Sequence, residues 1–273
     1  MAWSERDPLK AYVRRQAVVD ARLRRILLQA SRDAGRRIAG AGSATGLRRA
    51  QLELASEMLR MWAEVGTTIE DGIVMSDAAI AQVQVSFTDD LLRSIGVTDN
   101  DYFRQQMLRS ARNSLRLYVV REHHGLALSE RVYRNAAVSS GRVERVVANG
   151  VLRGASAREI ARDVSSLINP NTPGGVSHAA MRLGRTELNN AMHHASVDSY
   201  AENPFVERVE WALSSSHPRP DICDDLVGKY KVDEVPDKQH PQCFCYITPV
   251  PMSKQELIRR FKSGEFDAYA DAA

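Results

Sequence analysis

The stretch Glu202-Asn203-Pro204-Phe205-Val206-Glu207-Arg208-Val209-Glu210-Trp211 (residues 202–211) separates two textures. Before Asn203-Pro204, apolar residues recur three and four apart, the spacing of amphipathic helices. After it, Val206, Val209 and Trp211 read as a short strand, with turn residues from Ser214 to Pro220. Lys229 to Val232 and Phe244 to Val250 read as two further short strands. Ser253 then opens a last helix containing Leu257, Ile258 and Phe261. The expected fold class is mainly α with a small C-terminal α+β module: long N-terminal helices, then a short-stranded segment bearing cysteine and histidine. An aromatic content of 6% among 273 residues suits helices closing an aliphatic core better than a large sandwich.

Working back from residue 202, Ser177 to Glu202 is one helix, preceded by the loop Asn169-Pro170-Asn171-Thr172-Pro173-Gly174-Gly175. Ser156 with Glu159 forms a capping box for a helix over 157–168. Ser129 reads as the N-cap of a helix ending near Asn149-Gly150, and Gly125 ends the one before it. That preceding helix carries Phe103, Met107, Leu108, Leu115, Tyr118 and Val119, with Asp99 or Asn100 as its cap. Thr67 to about Ile95 is a further helix with Gly72 as a weak point and Gly96 as its stop. Leu47 to about Val65 is another. Residues 8–39 form the first, with Pro8 in its opening turn and Gly40-Ala41-Gly42-Ser43 as the break. The expected divisions are 1–150, a helical region; 151–252, the Cys/His-bearing module; and 253–273, a terminal helix and tail.

Charge is unevenly spread. Residues 1–40 hold nine Arg and one Lys against four acids, whereas 201–273 hold nine basic side chains against thirteen acids. Arg14, Arg15, Arg22, Arg24 and Arg25 on the first helix are candidates for nucleic-acid contact, although interleaved arginines also suit a solvated helix face. Glu5, Arg6, Asp7 and Pro8 stand where the apolar run of a secretory leader would begin. No stretch approaches the roughly 20 apolar residues of a membrane span. Synthesis in a reducing cytoplasm, with no membrane partner, is the expectation.

All three cysteines, Cys223, Cys243 and Cys245, lie in the last fifth of the chain. An odd number argues against a disulfide framework. On a strand, residues two apart share a face, so Cys243 and Cys245 can reach one ion. The turn at Pro241 can bring His240 beside them, and Cys223 or His217 can complete a tetrahedron. Thiolate and imidazole at four corners is the chemistry of structural zinc. Paired Cys-x-x-Cys knuckles are missing, so two other readings stand beside one zinc ion: buried thiols acting as small hydrophobes, and a reactive or disulfide-forming pair.

Several elements appear in a particular order: Arg185-Thr186-Glu187-Leu188-Asn189-Asn190-Ala191; Trp211; His217-Pro218-Arg219-Pro220-Asp221-Ile222-Cys223; Leu226-Val227-Gly228-Lys229; and His240-Pro241-Gln242-Cys243-Phe244-Cys245. In this order, over roughly residues 155–251, the chain resembles the Mu F-like minor head proteins of tailed bacteriophages. The resemblance implies a minor capsid protein in the phage head, acting in head morphogenesis and delivered with the DNA. Its implied partners are the portal protein, the major capsid or scaffold protein, and packaged DNA, with residues 1–150 as the contacting region. It also implies that Arg185 and Glu187 brace their helix against the Cys/His module, with Trp211 in its framework. Relatives carry a second cysteine three residues before the one matching Cys223. Here that position is Pro220, which leaves His217 to substitute.

Catalytic signatures are sparse. Gly40 to Gly46 lacks the Lys-Ser/Thr of a phosphate loop, and there is no Gly-x-Ser-x-Gly elbow. Glu187 lacks a converging second acid. Adjacent histidines, His123-His124 and His193-His194, diverge by about 100° on a helix and do not chelate one ion. A non-enzymatic role is therefore expected. Two rivals remain: a metal-dependent nuclease or toxin-like effector packaged in the head, and a non-specific DNA-binding protein acting through the first helix.

Overall fold

The computed structural model describes residues 7–96, 101–123, 125–215, 217 and 219–266. Among these, seven long helices precede a small sheet: α1 (Asp7–Ala39), α2 (Ala44–Val74), α3 (Asp77–Arg93), α4 (Asp101–Val120), α5 (Leu128–Leu152), α6 (Ala157–Ile168) and α7 (Val176–Glu202). Then come β1 (Val206–Ala212), α8 (Ile222–Asp225), β2 (Gly228–Lys231), one 3-10 turn (Val232–Glu234), β3 (Tyr246–Pro251) and α9 (Lys254–Lys262). The fold class is as expected from sequence: mostly helical, with long N-terminal helices and a three-stranded antiparallel sheet that carries a Cys/His cluster. No helix among the described residues is long and apolar enough to cross a membrane.

The chain forms two compact units that interleave along the sequence, whereas the divisions anticipated above run consecutively. One comprises Ala17–Asp71 and Arg121–Glu187; the other comprises the described parts of Met1–Gln16, Gly72–Val120 and Leu188–Ala273. The first unit is helical and packs Leu23, Leu27, Leu54, Trp62, Ile69, Val143, Ile160 and Val164 out of solvent. Its helices approach closely where side chains are small. A Cβ on Gly184 of α7 would come within 2.7 Å of Leu23 on α1. Ser31 Oγ donates to Ser165 O (2.8 Å) and Ser165 Oγ donates back to Ser31 O (3.1 Å), locking α1 to α6.

Three element boundaries differ from the sequence reading. Helix α2 continues through Gly66 and Gly72. Gly66 is a packing notch rather than a break: the methyl groups of Val132 lie 3.3 Å from where its Cβ would be. The break falls instead before Ser76, whose hydroxyl donates back to Gly72 O (2.8 Å) and whose N–H reaches Ile73 O (3.0 Å). Ser129 lies inside α5, not at its cap. There Glu130 accepts the N–H of Ala127 (2.9 Å), so a carboxylate in the first turn does the work expected of a hydroxyl. Helix α5 also runs on to Leu152, and Gly154, at φ +70°, supplies the left-handed stop. The Ser156–Glu159 capping box forms as expected. The proposed caps Asp99 and Asn100 lie outside the described residues.

In the second unit the sheet order is β2-β1-β3, with β1 central and antiparallel to both neighbours. Val206 and Val209 are both buried although three apart, because a register shift between Val206 and Arg208 breaks the two-residue alternation. Pro249 and Pro251 sit on β3, an edge strand, where a missing N–H costs no ladder bond on the outer side. Phe87, Tyr200, Val206, Val209, Trp211, Val232 and Ile247 pack with the three cysteines into one buried cluster. Leu91, Leu92, Phe103, Met107, Phe205, Leu257 and Phe266 form a second cluster. At the corner between α7 and β1, Asn203 donates to Gln84 Oε1 and Thr88 Oγ1 (both 3.1 Å) and accepts from Phe205 N (3.0 Å). All these groups are buried, so Asn203→Ala strands several of them. We expect a loss of about 2–4 kcal/mol in urea unfolding. A loss under about 0.5 kcal/mol would show that Asn203 does not hold this corner.

Candidate metal centre

The cysteines and histidine converge because two loops fold over one end of the sheet. Cys223 sits on α8, a single turn capped by Asp221, whose Oδ1 accepts the Cys223 N–H at 2.7 Å. Cys243 and Cys245 were expected on a strand, but they lie in the segment leading into β3, which begins at Tyr246. The chain turns there through Gln242, at φ +60°, a conformation that non-glycine residues rarely adopt. The convergence of the two thiols is therefore set by a turn, not by strand alternation. All three cysteines are free and buried.

Cys223 Sγ lies 3.6 Å from Cys243 Sγ and 3.2 Å from His240 Nε2. Those three ligand atoms all fall within 4.8 Å of one another. Zinc–sulfur bonds near 2.3 Å meeting at tetrahedral angles separate two sulfurs by about 3.8 Å, close to the spacing seen. Cys245 lies outside that trio but is buried in the same cluster as Cys223 and Cys243, and its thiol interacts with both of theirs. His240 Nδ1 donates to Pro241 O at 3.0 Å, since a carbonyl can only accept. That bond selects the tautomer whose bare lone pair, on Nε2, faces the sulfurs, which is the arrangement that metal-bound imidazoles use. These residues can hold a metal ion.

The thiols are electrostatically unequal. Contact with the Cys245 thiol, and then the nearby Lys238 ammonium, draw the Cys243 thiol down to about 5 against burial. Burial, followed by the hydrogen bond to Cys243, pushes Cys223 up to about 12. Its hydrogen bond with Cys243, together with burial, pushes Cys245 up as well. One sulfur thus releases its proton readily and the other two release theirs only with help, which a divalent cation supplies.

Around the group, α7 contributes a supporting face. Asn189 Nδ2 donates to Cys243 O (3.1 Å), and His193, one helical turn later, has its Nε2 3.1 Å from Pro236 O. The His193 ring meets Trp211 edge-on at 5.4 Å. Lys238, buried, donates to the carbonyls of Cys243 (3.2 Å) and Cys245. The i, i+4 spacing of Asn189 and His193 puts both on one face of α7. Lys238 escaped the sequence reading because Asp237-Lys238-Gln239 has the composition of an exposed turn.

The remaining candidates fall elsewhere. His217 does not substitute for the missing cysteine: its Nε2 lies 3.0 Å from Asp224 Oδ2 and 3.8 Å from Asp221 Oδ1. The same Asp224 oxygen accepts the Asp221 N–H (2.7 Å), so His217 belongs to the bonding that shapes the α8 loop. Trp211 is fully buried within the cysteine-bearing cluster. Arg185 pairs with Asp20 of α1 (2.7 Å) and Glu187 with Arg131 of α5 (2.6 Å), all within the helical unit. On α1, Arg14, Arg22, Arg24 and Arg25 are exposed and Arg15 is half-buried; Arg24 also donates to Asn171 Oδ1 at 3.2 Å.

No protein-family model matches the chain, and comparisons with curated proteins and with solved structures likewise yield no match.

The two ion pairs differ in burial, at 15% and 4% side-chain exposure for Arg131–Glu187 against 32% and 19% for Arg185–Asp20. Arg131→Ala removes the guanidinium that pairs with a buried carboxylate and should cost about 3–5 kcal/mol in chemical denaturation. Arg185→Ala should cost about 1 kcal/mol or less. Equal costs would contradict this ranking.

His193 is held well below its ordinary value of 6.5, first by burial and then by the neighbouring Lys238 charge. The folded state therefore keeps it neutral where the unfolded chain takes up a proton. Its contribution is complete above pH 6.5 and is lost as pH falls below that value toward the depressed folded one. Unfolding midpoints measured downward from pH 7 should decline, and His193→Gln should flatten the decline. An unchanged slope in that variant would count against a buried neutral His193.

Proposed function

We propose that this chain is a minor head protein of a tailed bacteriophage whose C-terminal sheet is stapled by one structural zinc ion. Cys223, His240, Cys243 and Cys245 are its ligands. The observation that carries the zinc assignment is the convergence of two buried thiols and the half-buried His240 imidazole within 4.8 Å of one another, with His240 oriented by Pro241. Four protein ligands leave no open position for water, which favours a staple over a catalyst. A three-stranded sheet joined by the long segments 213–227 and 232–245 gains most from such a closure, because its own core is small.

Support for the head assignment comes from the order of sequence elements, from Arg185-Thr186-Glu187 to the terminal His240-Pro241-Gln242-Cys243-Phe244-Cys245. In this reading the long helices engage the portal, scaffold or major capsid protein, and the protein takes its place in the virion. Exposed Arg14, Arg22, Arg24 and Arg25 favour an accessory contact with packaged DNA, one that would weaken steeply with salt.

The test is mass spectrometry and elemental analysis of purified phage particles, beside zinc analysis of the purified chain. We expect a few to a few dozen copies per DNA-filled head, about one zinc per chain, and a lowered thermal midpoint on chelation. Absence from particles would overturn the head role. A purified chain that takes up no zinc would overturn the staple.

A further inference from the structure

Lys238 raises a question of charge. The residue is buried, and its ammonium donates to Cys243 O and Cys245 O while lying 5.9 Å from the centroid of the Trp211 ring. No carboxylate among the described residues forms an ion pair with it. Carbonyl dipoles and a ring face stabilise a cation, but they carry no net charge. An ammonium removed from water needs a negative partner nearby. The groups it faces are the three cysteines and His193, and the histidine is held neutral.

Three neutral thiols would leave the ammonium uncompensated, and burial already pulls Lys238 below its ordinary value. A divalent ion bound by two thiolates, an imidazole and a water would be neutral overall and would do no better. A divalent ion bound by three thiolates and one imidazole carries a single net negative charge, the complement of one ammonium. We propose that Lys238 is the built-in counter-charge of the metal centre and that it sets the ligand composition, making Cys245 the third thiolate and excluding a water-bearing form. The inference rests on the metal reading above and deepens it. The carbonyls that hold Lys238 belong to Cys243 and Cys245, so the same short segment supplies two anionic sulfurs and positions the cation that balances them. The chain also specifies against alternatives here: a site built for one net negative charge disfavours a two-thiolate or two-histidine set.

The experiment uses the full-length chain, with Zn²⁺ affinity measured by competition with a chromophoric chelator and Co²⁺ as a spectroscopic probe. Thiolate-to-cobalt charge-transfer absorption should have the intensity of three thiolates, and Cys245→Ser should remove about a third of it. Lys238→Met should weaken Zn²⁺ binding by about tenfold or more, while Lys238→Arg, which keeps the charge, should stay close to the unaltered protein. The double variant Lys238→Met with Cys245→His makes the site neutral by ligand rather than by counter-ion. It should bind Zn²⁺ more tightly than Lys238→Met alone, a non-additivity that a merely structural lysine would not produce. If Lys238→Met does not fold, the cobalt intensities of the unaltered protein and of Cys245→Ser decide the ligand set, and Lys238→Arg decides the charge. Full thiolate intensity in Cys245→Ser, unchanged affinity in Lys238→Met, or purely additive losses in the double variant would overturn the proposal. Failure of the unaltered protein to take up either metal would instead overturn the metal reading on which it rests.

Discussion

The small sheet's core holds three cysteine sulfurs where hydrocarbon would ordinarily stand, with the half-buried His240 imidazole against Cys223 and a buried lysine ammonium on the carbonyls of Cys243 and Cys245. Burying such groups is unfavourable unless each finds a partner. That requirement organises the loops around them. Asp221 caps α8 through the Cys223 amide, Asn189 and Lys238 occupy the carbonyl of Cys243, and Pro241 takes the outer nitrogen of His240. Gln242 adopts a left-handed backbone where the segment turns toward the thiols. Non-glycine residues hold that conformation only when surrounding contacts over-determine it.

The sheet offers little else to define its position. Its central strand is interrupted by a register shift, and one edge strand carries two prolines. Hydrogen bonds alone fix three strands weakly, whereas Trp211, Val209 and Ile247 packed against the thiols give the sheet a buried face. Helix α7 joins the sheet through its last residues: Asn203 ties the corner to α3, and Asn189 and His193 support the loop that brings in His240, Cys243 and Cys245. The earlier part of α7 belongs to the helical unit, where Glu187 meets Arg131 in a buried pair. One helix thus uses its polar residues in two ways, as ion-pair partners among helices and as neutral hydrogen-bond donors beside sulfur.

Local chemistry made much of the architecture legible. Apolar periodicity located the long helices, Ser156 with Glu159 located the start of α6, and the Pro- and Gly-rich run at 169–175 located the loop before α7. The errors came where a residue's expected role was overruled by a competing partner, near or distant in sequence. Gly66 looked like an interruption but accommodates Val132, and Ser129 looked like a cap but yields to a carboxylate one residue later. His217 looked like a ligand, yet it lies beside two aspartates that the sequence places four and seven residues away.

The sequence by itself determined the fold class, the order of the long helices and the identity of the atoms available for a metal: three sulfurs and a nearby imidazole, all within the last fifth of the chain. These follow from interactions between residues close in sequence, which periodicity, capping and composition report directly. Only the tertiary structure decided which of those atoms meet, that Cys243 and Cys245 do so from a turn and not from a strand, and that Lys238 is buried among them. Those outcomes depend on how two loops fold over a sheet and against α7. The energies involved are desolvation and long-range hydrogen bonding, which leave no periodic mark on the chain.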